Sequence, residues 1–329
     1  MACSFHVYNA GNPSGATAIS DVHPDLIQTN ILTRLDGPTL TSVATTCSQL
    51  HALSSQDHLW SNICHSTWPS TNSPRVETVI TTFPHGYRSF FSDSFPTASP
   101  AKNSRVNPDH TPELISAVDL FHREDLILSK VIETETVTGW FRCWPFRLDL
   151  LDTKDSVQMP IHYPEEDDTC QELGEELRLS WIVIDPAGRR AVNVSSRSPV
   201  SVRRHWLTGE MEVRFATVVE AVVCIMTVRC GGGGGRMHVR EVSMHMEDMD
   251  GKQLNGKDSL GNLVKVLEGK RVKSKNKNEG KDGYLEFEKR KKEKEERKLR
   301  TERRLDMLCV VLVTVSFSAL SCLCLFREF

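Results

Sequence analysis

Two stretches of this sequence have the outline of a phosphate cradle. Gly251–Asp258, GKQLNGKD, matches G-x-x-x-x-G-K up to its last residue. A phosphate loop places a Ser or Thr hydroxyl there to hold magnesium. Here the position is Asp258, whose carboxylate would repel phosphate, and the acidic residues before it do not read as a buried strand. Gly231–Gly235 is a run of five glycines with no lysine, hydroxyl or following helix, and reads as a floppy hairpin loop. Cys64-His65 and Met237-His238 lack partners at metal-ligand spacing, and there is no HExxH, nucleophile elbow or paired-carboxylate constellation. Cys47 is expected to pack on the apolar face of a helix. The expectation is a non-catalytic chain with no catalytic residue, no metal and no cofactor.

One cluster has the chemistry of a binding surface rather than of a reaction. Trp181, Arg203, Arg204, His205 and Trp206 combine aromatic area with guanidinium groups, the residue types that dominate interface hot spots. The competing reading puts both tryptophans in the core and the arginines on a solvated turn.

The elements that must position these residues fall into distinct zones of a 329-residue chain. With 39% hydrophobic and 25% charged residues the composition is that of a soluble globular protein. The scattered cysteines fit a reducing compartment, and the N-terminus lacks a signal peptide's charged start and apolar run. The body is therefore expected in the cytosol, where the sequon at Asn193 would go unused. Residues 1–18 read as disordered. Residues 19–68 show short amphipathic helices: Pro24 suits a first turn, and Leu26, Ile27, Ile31, Leu32 and Leu35 recur at helical spacing. Asp36-Gly37-Pro38 then breaks the chain before Leu40, Val43, Ala44 and Cys47. Residues 69–112 read as a linker carrying a short aromatic helix, Gly86–Phe95. Residues 113–250 carry strand patterns, among them LRLSWIVID (Leu177–Asp185) and MHVREVSMHME (Met237–Glu247), and predict one mostly antiparallel β domain. The acidic run Glu165–Asp168 falls in a loop between strands. Residues 251–304 read as a linker followed by a charged helix.

The segment Ser20–Cys64 resembles an F-box: Pro24-Asp25-Leu26-Ile27, Ile31-Leu32, Leu35, Leu40, Val43, Ala44, Cys47, Leu50, Leu53 and Leu59-Trp60 follow the family's order and spacing. His23 departs from it, standing where the family has Leu before the proline. The resemblance implies docking on the SKP-type adaptor of a cullin ubiquitin ligase and, through it, on the cullin and RING subunits. It carries Pro24, Leu26, Ile27, Ile31, Leu35, Leu40 and Trp60 as adaptor contacts or their immediate support. Asn193–Phe215, together with the C-terminal segment, looks like a plant F-box subgroup whose β domain has no well-defined ligand. No WD, kelch or leucine-rich repeat is present to suggest a target.

Charge is unevenly placed. Lys289–Arg304 holds ten basic and four acidic side chains, so with an overall charge of −3 the rest of the chain carries −9. An acidic body argues against nucleic-acid binding. Met307–Phe326 is a run of twenty uncharged residues, long enough as a helix to cross the roughly 30 Å hydrocarbon layer. With a basic flank before it and only residues 327–329 after it, a tail anchor with the body facing the cytosol is expected. The expected fold is thus α+β: a small N-terminal helical unit, a mostly antiparallel β domain, a charged helix and a transmembrane helix over 305–326. The expected function is that of a substrate receptor linking the adaptor to an unknown protein target. The alternative is a membrane-tethered β ligand-binding module with a degenerate F-box, which His23 favours.

Overall fold

The computed structural model describes residues 22–95, 97–99, 110–152, 154–163, 167–272 and 279–327, with 97–99, 167–168, 270, 272, 279 and 319–327 as backbone only. The expected disordered stretch 1–18 and the start of the acidic run, 165–166, lie outside them. The chain divides into two compact units, Met1–Ile63 and Cys64–Phe329.

The first unit is built by turn chemistry on a short sequence. α1 (Pro24–Asn30) starts with proline at its first position, and the His23 ring accepts the Asp25 N–H at 3.3 Å as its cap. A single 3-10 turn follows at Leu32–Arg34. Asp36 caps α2 (Gly37–Val43) by accepting the Thr39 N–H at 3.0 Å, and the Thr39 side chain, with that N–H, holds its carboxyl below the usual aspartate range. α3 (Ser48–Ser54) is capped by the Cys47 sulfur, which accepts the Leu50 N–H at 3.5 Å. Cys47 is exposed there, which corrects the expectation of a packed thiol. α4 (Asp57–Thr67) follows. Ile27, Leu32, Leu40, Ala44, Leu50, Leu59 and Trp60 are buried, and the Trp60 indole N–H donates to the Ser54 carbonyl at 2.7 Å.

The second unit opens with α5 (Pro74–Ile80), α6 (Gly86–Ser94) and β1 (Thr97–Ser99); α6 lies where the short aromatic helix is expected, whereas α5 and β1 fall in stretches read as linker. The correction has a simple cause. Val76, Val79 and Ile80 of α5 are buried, and polar residues between them disguise the helical spacing. β2 (Glu113–His122), β3 (Asp125–Glu135), β6 (Leu177–Asp185) and β7 (Arg190–Asn193) make one sheet in the order β3-β2-β6-β7. β4 (Arg147–Asp149), β5 (Val157–His162), β8 (Ser201–Arg204), β9 (Met211–Val219), β10 (Val222–Gly233) and β11 (Arg236–Asp248) make the other. Its order is β4-β11-β10-β9-β8, with β5 also on β11. Every pairing in both sheets is antiparallel. α7 (Gly139–Cys143) and α8 (Asp167–Glu175) interrupt the strand sequence. Apolar side chains of both sheets, including Val118, Trp181, Val183, Met211, Phe215 and Met244, share one core.

α9 (Gly256–Leu267) lies in the segment read as a linker, yet Leu260, Leu263, Val264, Val266 and Leu267 join that core. Asn255 caps it by accepting the Asp258 N–H at 2.8 Å. The phosphate-loop lookalike is therefore a strand-to-helix connection after all, but its glycines serve the backbone. Gly251 has φ +72°, and a Cβ on Gly256 would stand 2.1 Å from the Phe141 carbonyl oxygen. The glycine run also departs from the floppy loop expected: Gly231–Gly233 continue β10, and only Gly234 and Gly235, at φ +59° and +77°, turn the chain. Tyr163 lies over Gly232, where a Cβ would meet its ring at 3.1 Å.

Two polar ties hold the second unit together. Asp119, on β2, accepts from the Ser70 N–H at 2.8 Å, the Ser70 hydroxyl at 2.6 Å and the Ser129 hydroxyl at 2.7 Å. It is fully buried, and burial pushes its pKa up against those bonds. Arg271, on β12 (Lys270–Val272), donates to the carbonyls of Asp93, Ala191, Val266, Leu267 and Gly269, closing the C-terminus of α9. β1 pairs with β12 beside it.

α10 (Glu279–Arg327) is continuous over 49 residues, roughly 70 Å. Its first turns dock on the second sheet, where Tyr284 and Phe287 pack with Val200, Ala216, Val223 and Ile225. Lys291 pairs with Glu247 at 3.4 Å and Lys294 with Asp250 at 2.7 Å, after which its described side chains are exposed. Among the described residues no helix is long and apolar enough to cross a membrane. Side chains 319–326 of the expected span lie outside that description.

Replacing Asp119 with alanine leaves three donors without their acceptor, and is expected to cost about 3 kcal/mol in urea unfolding. Asp119→Asn should cost less. Because the folded pKa is raised, this group's contribution is greatest below the ordinary aspartate pKa and falls as pH rises through the raised value. Asp119→Asn should flatten that part of the stability profile.

Candidate functional site

The seven residues expected to meet an adaptor separate into two layers. Leu26 is 54% exposed and Ile31 44%, and Pro24 is exposed beside them. Leu35 is half-buried. Ile27, Leu40 and Trp60 are buried and form the interior beneath the outer layer. His23 caps α1, so its departure from the family pattern leaves the start of that helix intact.

The β-domain cluster separates likewise. Trp181 has no exposed surface and belongs to the core between the sheets, which removes it from any contact surface. Arg203, Arg204, His205 and Trp206 stay together at the β8–β9 connection. That hairpin is shaped by the His205 N–H donating to the Glu210 carbonyl at 2.7 Å and the Gly209 N–H to the His205 carbonyl at 2.8 Å, with Gly209 at φ +70°. Trp206 is 87% exposed and Leu207 70%, and the His205 ring lies nearly parallel to the Trp206 ring with centroids 6.4 Å apart. Arg204 faces the Tyr163 ring at 5.7 Å, and the Tyr163 hydroxyl donates to the Gly209 carbonyl. Burial pushes the Tyr163 phenol up, so it remains a donor at neutral pH. The hairpin thus presents an aromatic and aliphatic tip.

The sequence reading missed a second exposed pair. Trp140 and Trp144, on and just after α7, stack with centroids 4.9 Å apart. Their separation of four residues, one helical turn, was the signal that could have found them. Among the described residues no group of three or more His, Cys, Asp or Glu could hold a metal ion.

Residues 24–66 match the F-box-like family. An Arabidopsis thaliana protein named as a probable F-box protein is 48% identical over 326 residues, covering 97% of this chain and 98% of that one. Two further Arabidopsis thaliana F-box proteins are 46% identical over 89% of this chain and 92% of theirs, and 44% identical over 87% and 84%. The chain belongs to the F-box protein family. No solved structure is significantly similar to it.

Trp206→Ala and Leu207→Ser should each change unfolding stability by no more than about 0.5 kcal/mol. Trp181→Ala should cost about 3–5 kcal/mol. Thermal or urea unfolding of the three variants separates the exposed tip from the core.

Proposed function

We propose that this protein is a substrate receptor of an SCF-type cullin ubiquitin ligase, tethered to a membrane. The observation that carries the first half is the exposed layer Pro24, Leu26 and Ile31 on a capped helical unit matching the F-box-like family. F-box proteins are in general non-catalytic subunits that dock an SKP-type adaptor, and through it the cullin and RING subunits. The adaptor buries the outer layer, while Ile27, Leu40 and Trp60 keep its geometry fixed. The β domain binds a protein target, with Arg203, Arg204, His205 and Trp206 as contacts at the β8–β9 hairpin. The work done is proximity: a bound target's lysines are held at high effective concentration beside the ubiquitin-loaded enzyme.

The uncharged run Met307–Phe326 supports the tether. Hydroxyls in it turn back onto the helix, Thr314 donating to the Val311 carbonyl and Ser318 to the Thr314 carbonyl, both at 2.9 Å. This lowers their cost in hydrocarbon. The net +6 of Lys289–Arg304 favours the cytosolic side for the flank and hence for the body.

Leu26→Asp with Ile31→Asp should abolish capture of the SKP-type adaptor, with folding unchanged by circular dichroism. Undiminished capture, or none by the unaltered chain, would sink the receptor reading. In alkaline carbonate extraction the full chain should stay with the membrane pellet; release into the supernatant refutes the tether and leaves adaptor binding standing.

A further inference from the structure

Cys143 and Pro145, on either side of Trp144 in the chain, line a cleft of about 300 Å³ together with Asp248, Lys252, Leu254 and Asp258, and neither indole of the stacked pair is part of that lining. Trp140 is 65% exposed and Trp144 57%, and Val137 beside them 48%. Large aromatic faces left in water are costly, and here the backbone that carries Trp144 is tied to its neighbours. The Gly256 N–H donates to the Trp144 carbonyl at 3.0 Å and the Phe146 N–H to the Leu254 carbonyl at 2.8 Å, and Pro145 bridges Asn255. A platform stitched on both sides to the wall of the cleft loses little entropy on binding.

The chemistry of the surface selects the occupant. Indole faces attract cations through the ring quadrupole. Two carboxylates, Asp248 and Asp258, line the cleft against one ammonium, Lys252. Asp258 is exposed and makes no ion pair among the described residues. Asp248 accepts the N–H groups of Asp250 and Lys252 at 2.8 and 2.9 Å, which fixes one carboxylate oxygen in the wall.

Position adds a second constraint. The turn that supplies Asp248 and Lys252 is the one on which α10 makes its last contact, through Lys294 and Asp250. From Glu295 to Asp306 the helix runs free for about 18 Å before the uncharged segment begins. The cleft therefore lies at the end of the domain from which the tether departs. The Trp206 hairpin belongs to the other end of the sheet, since Met211 pairs with Cys230 near the Gly234–Gly235 turn.

We propose that the Trp140–Trp144 platform and its cleft form a second target-binding surface, which takes an extended peptide segment bearing lysine or arginine. One or two cationic side chains lie over the indole faces and reach Asp258 and Asp248, while the aliphatic part of the segment covers Pro145 and Leu254. Cytosolic segments flanking membrane spans are rich in these residues. They are the natural source of such a ligand at this end of the domain, an assignment of source that rests on the tether proposed above.

The test is fluorescence anisotropy of a labelled twelve-residue peptide containing four Arg or Lys among Ser and Leu, titrated with the full chain in detergent. No bilayer enters, so the outcome is independent of the carbonate extraction. The peptide should bind, weaken with salt, and lose at least tenfold in affinity to the double variant Trp140→Ala, Trp144→Ala. Asp258→Asn should weaken it several-fold with unchanged thermal unfolding. A peptide with Glu at the four positions should not compete. Three results overturn the proposal: no binding, equal binding by the tryptophan double variant or by the Glu peptide, or displacement by a neutral glucan hexasaccharide, which would make the platform a sugar site.

Discussion

The second unit depends on one constraint: each sheet has an apolar face that has to be covered by the other. β6 is buried on nearly every residue, and Trp181, Val183, Phe215, Val228 and Met244 fill the space between the layers. Burial of this area, at roughly 25 cal/mol per Å², is the main term favouring the fold. Its demand for space is strong enough to bury the Trp181 indole N–H without an acceptor among the described residues. α9 completes the enclosure with Leu260, Leu263 and Leu267. Each surface feature is set where it is by the ends of strands and helices that this packing fixes.

Two charge-capable groups enter the interior where several bonds meet them. Asp119 is tolerated at the centre of β2 because three donors converge on it, and the Ser70 pair among them ties the segment after α4 to the sheet. Arg271 does the same at the end of α9, where five carbonyls take its guanidinium. Both are cases of a buried charge-capable group that specifies one arrangement, since a displaced segment would strand it unpaired. α10 uses a different device. Two aromatic side chains seat it on the sheet, and the Lys291 and Lys294 pairs at the edge set its direction. Beyond them the pairs Arg297–Glu293 and Arg300–Glu296 support the helix without any tertiary contact.

The helical unit shows the same division on a smaller scale. A fifty-residue segment has too little interior to bury all of its apolar side chains, so Ile27, Leu40 and Trp60 make the core and Leu26 and Ile31 are left outside. The surplus is what gives such a unit affinity for a partner. A receptor needs this on one unit and a separate, differently shaped surface on the other. The second unit exposes two aromatic features, the Trp206 hairpin and the Trp140–Trp144 stack.

The sequence by itself determined the helical unit, the β-domain strands with strong alternation and the charged helix. Those signals are local: Pro24, Asp36-Gly37-Pro38 and alternating apolar residues act within a few positions of themselves. The F-box resemblance was legible for the same reason, because the motif is contiguous. Only the tertiary structure decided which of those residues face outward. It also decided that Trp181 is core while Trp206 is surface, and that α9 and α5 are packed helices rather than linker. Cys47 became a cap and three glycines became strand. In each case the deciding partner lies far along the chain. Tyr163 over Gly232, Phe141 against Gly256 and the sheet that receives Leu263 are long-range neighbours, and no local pattern encodes them.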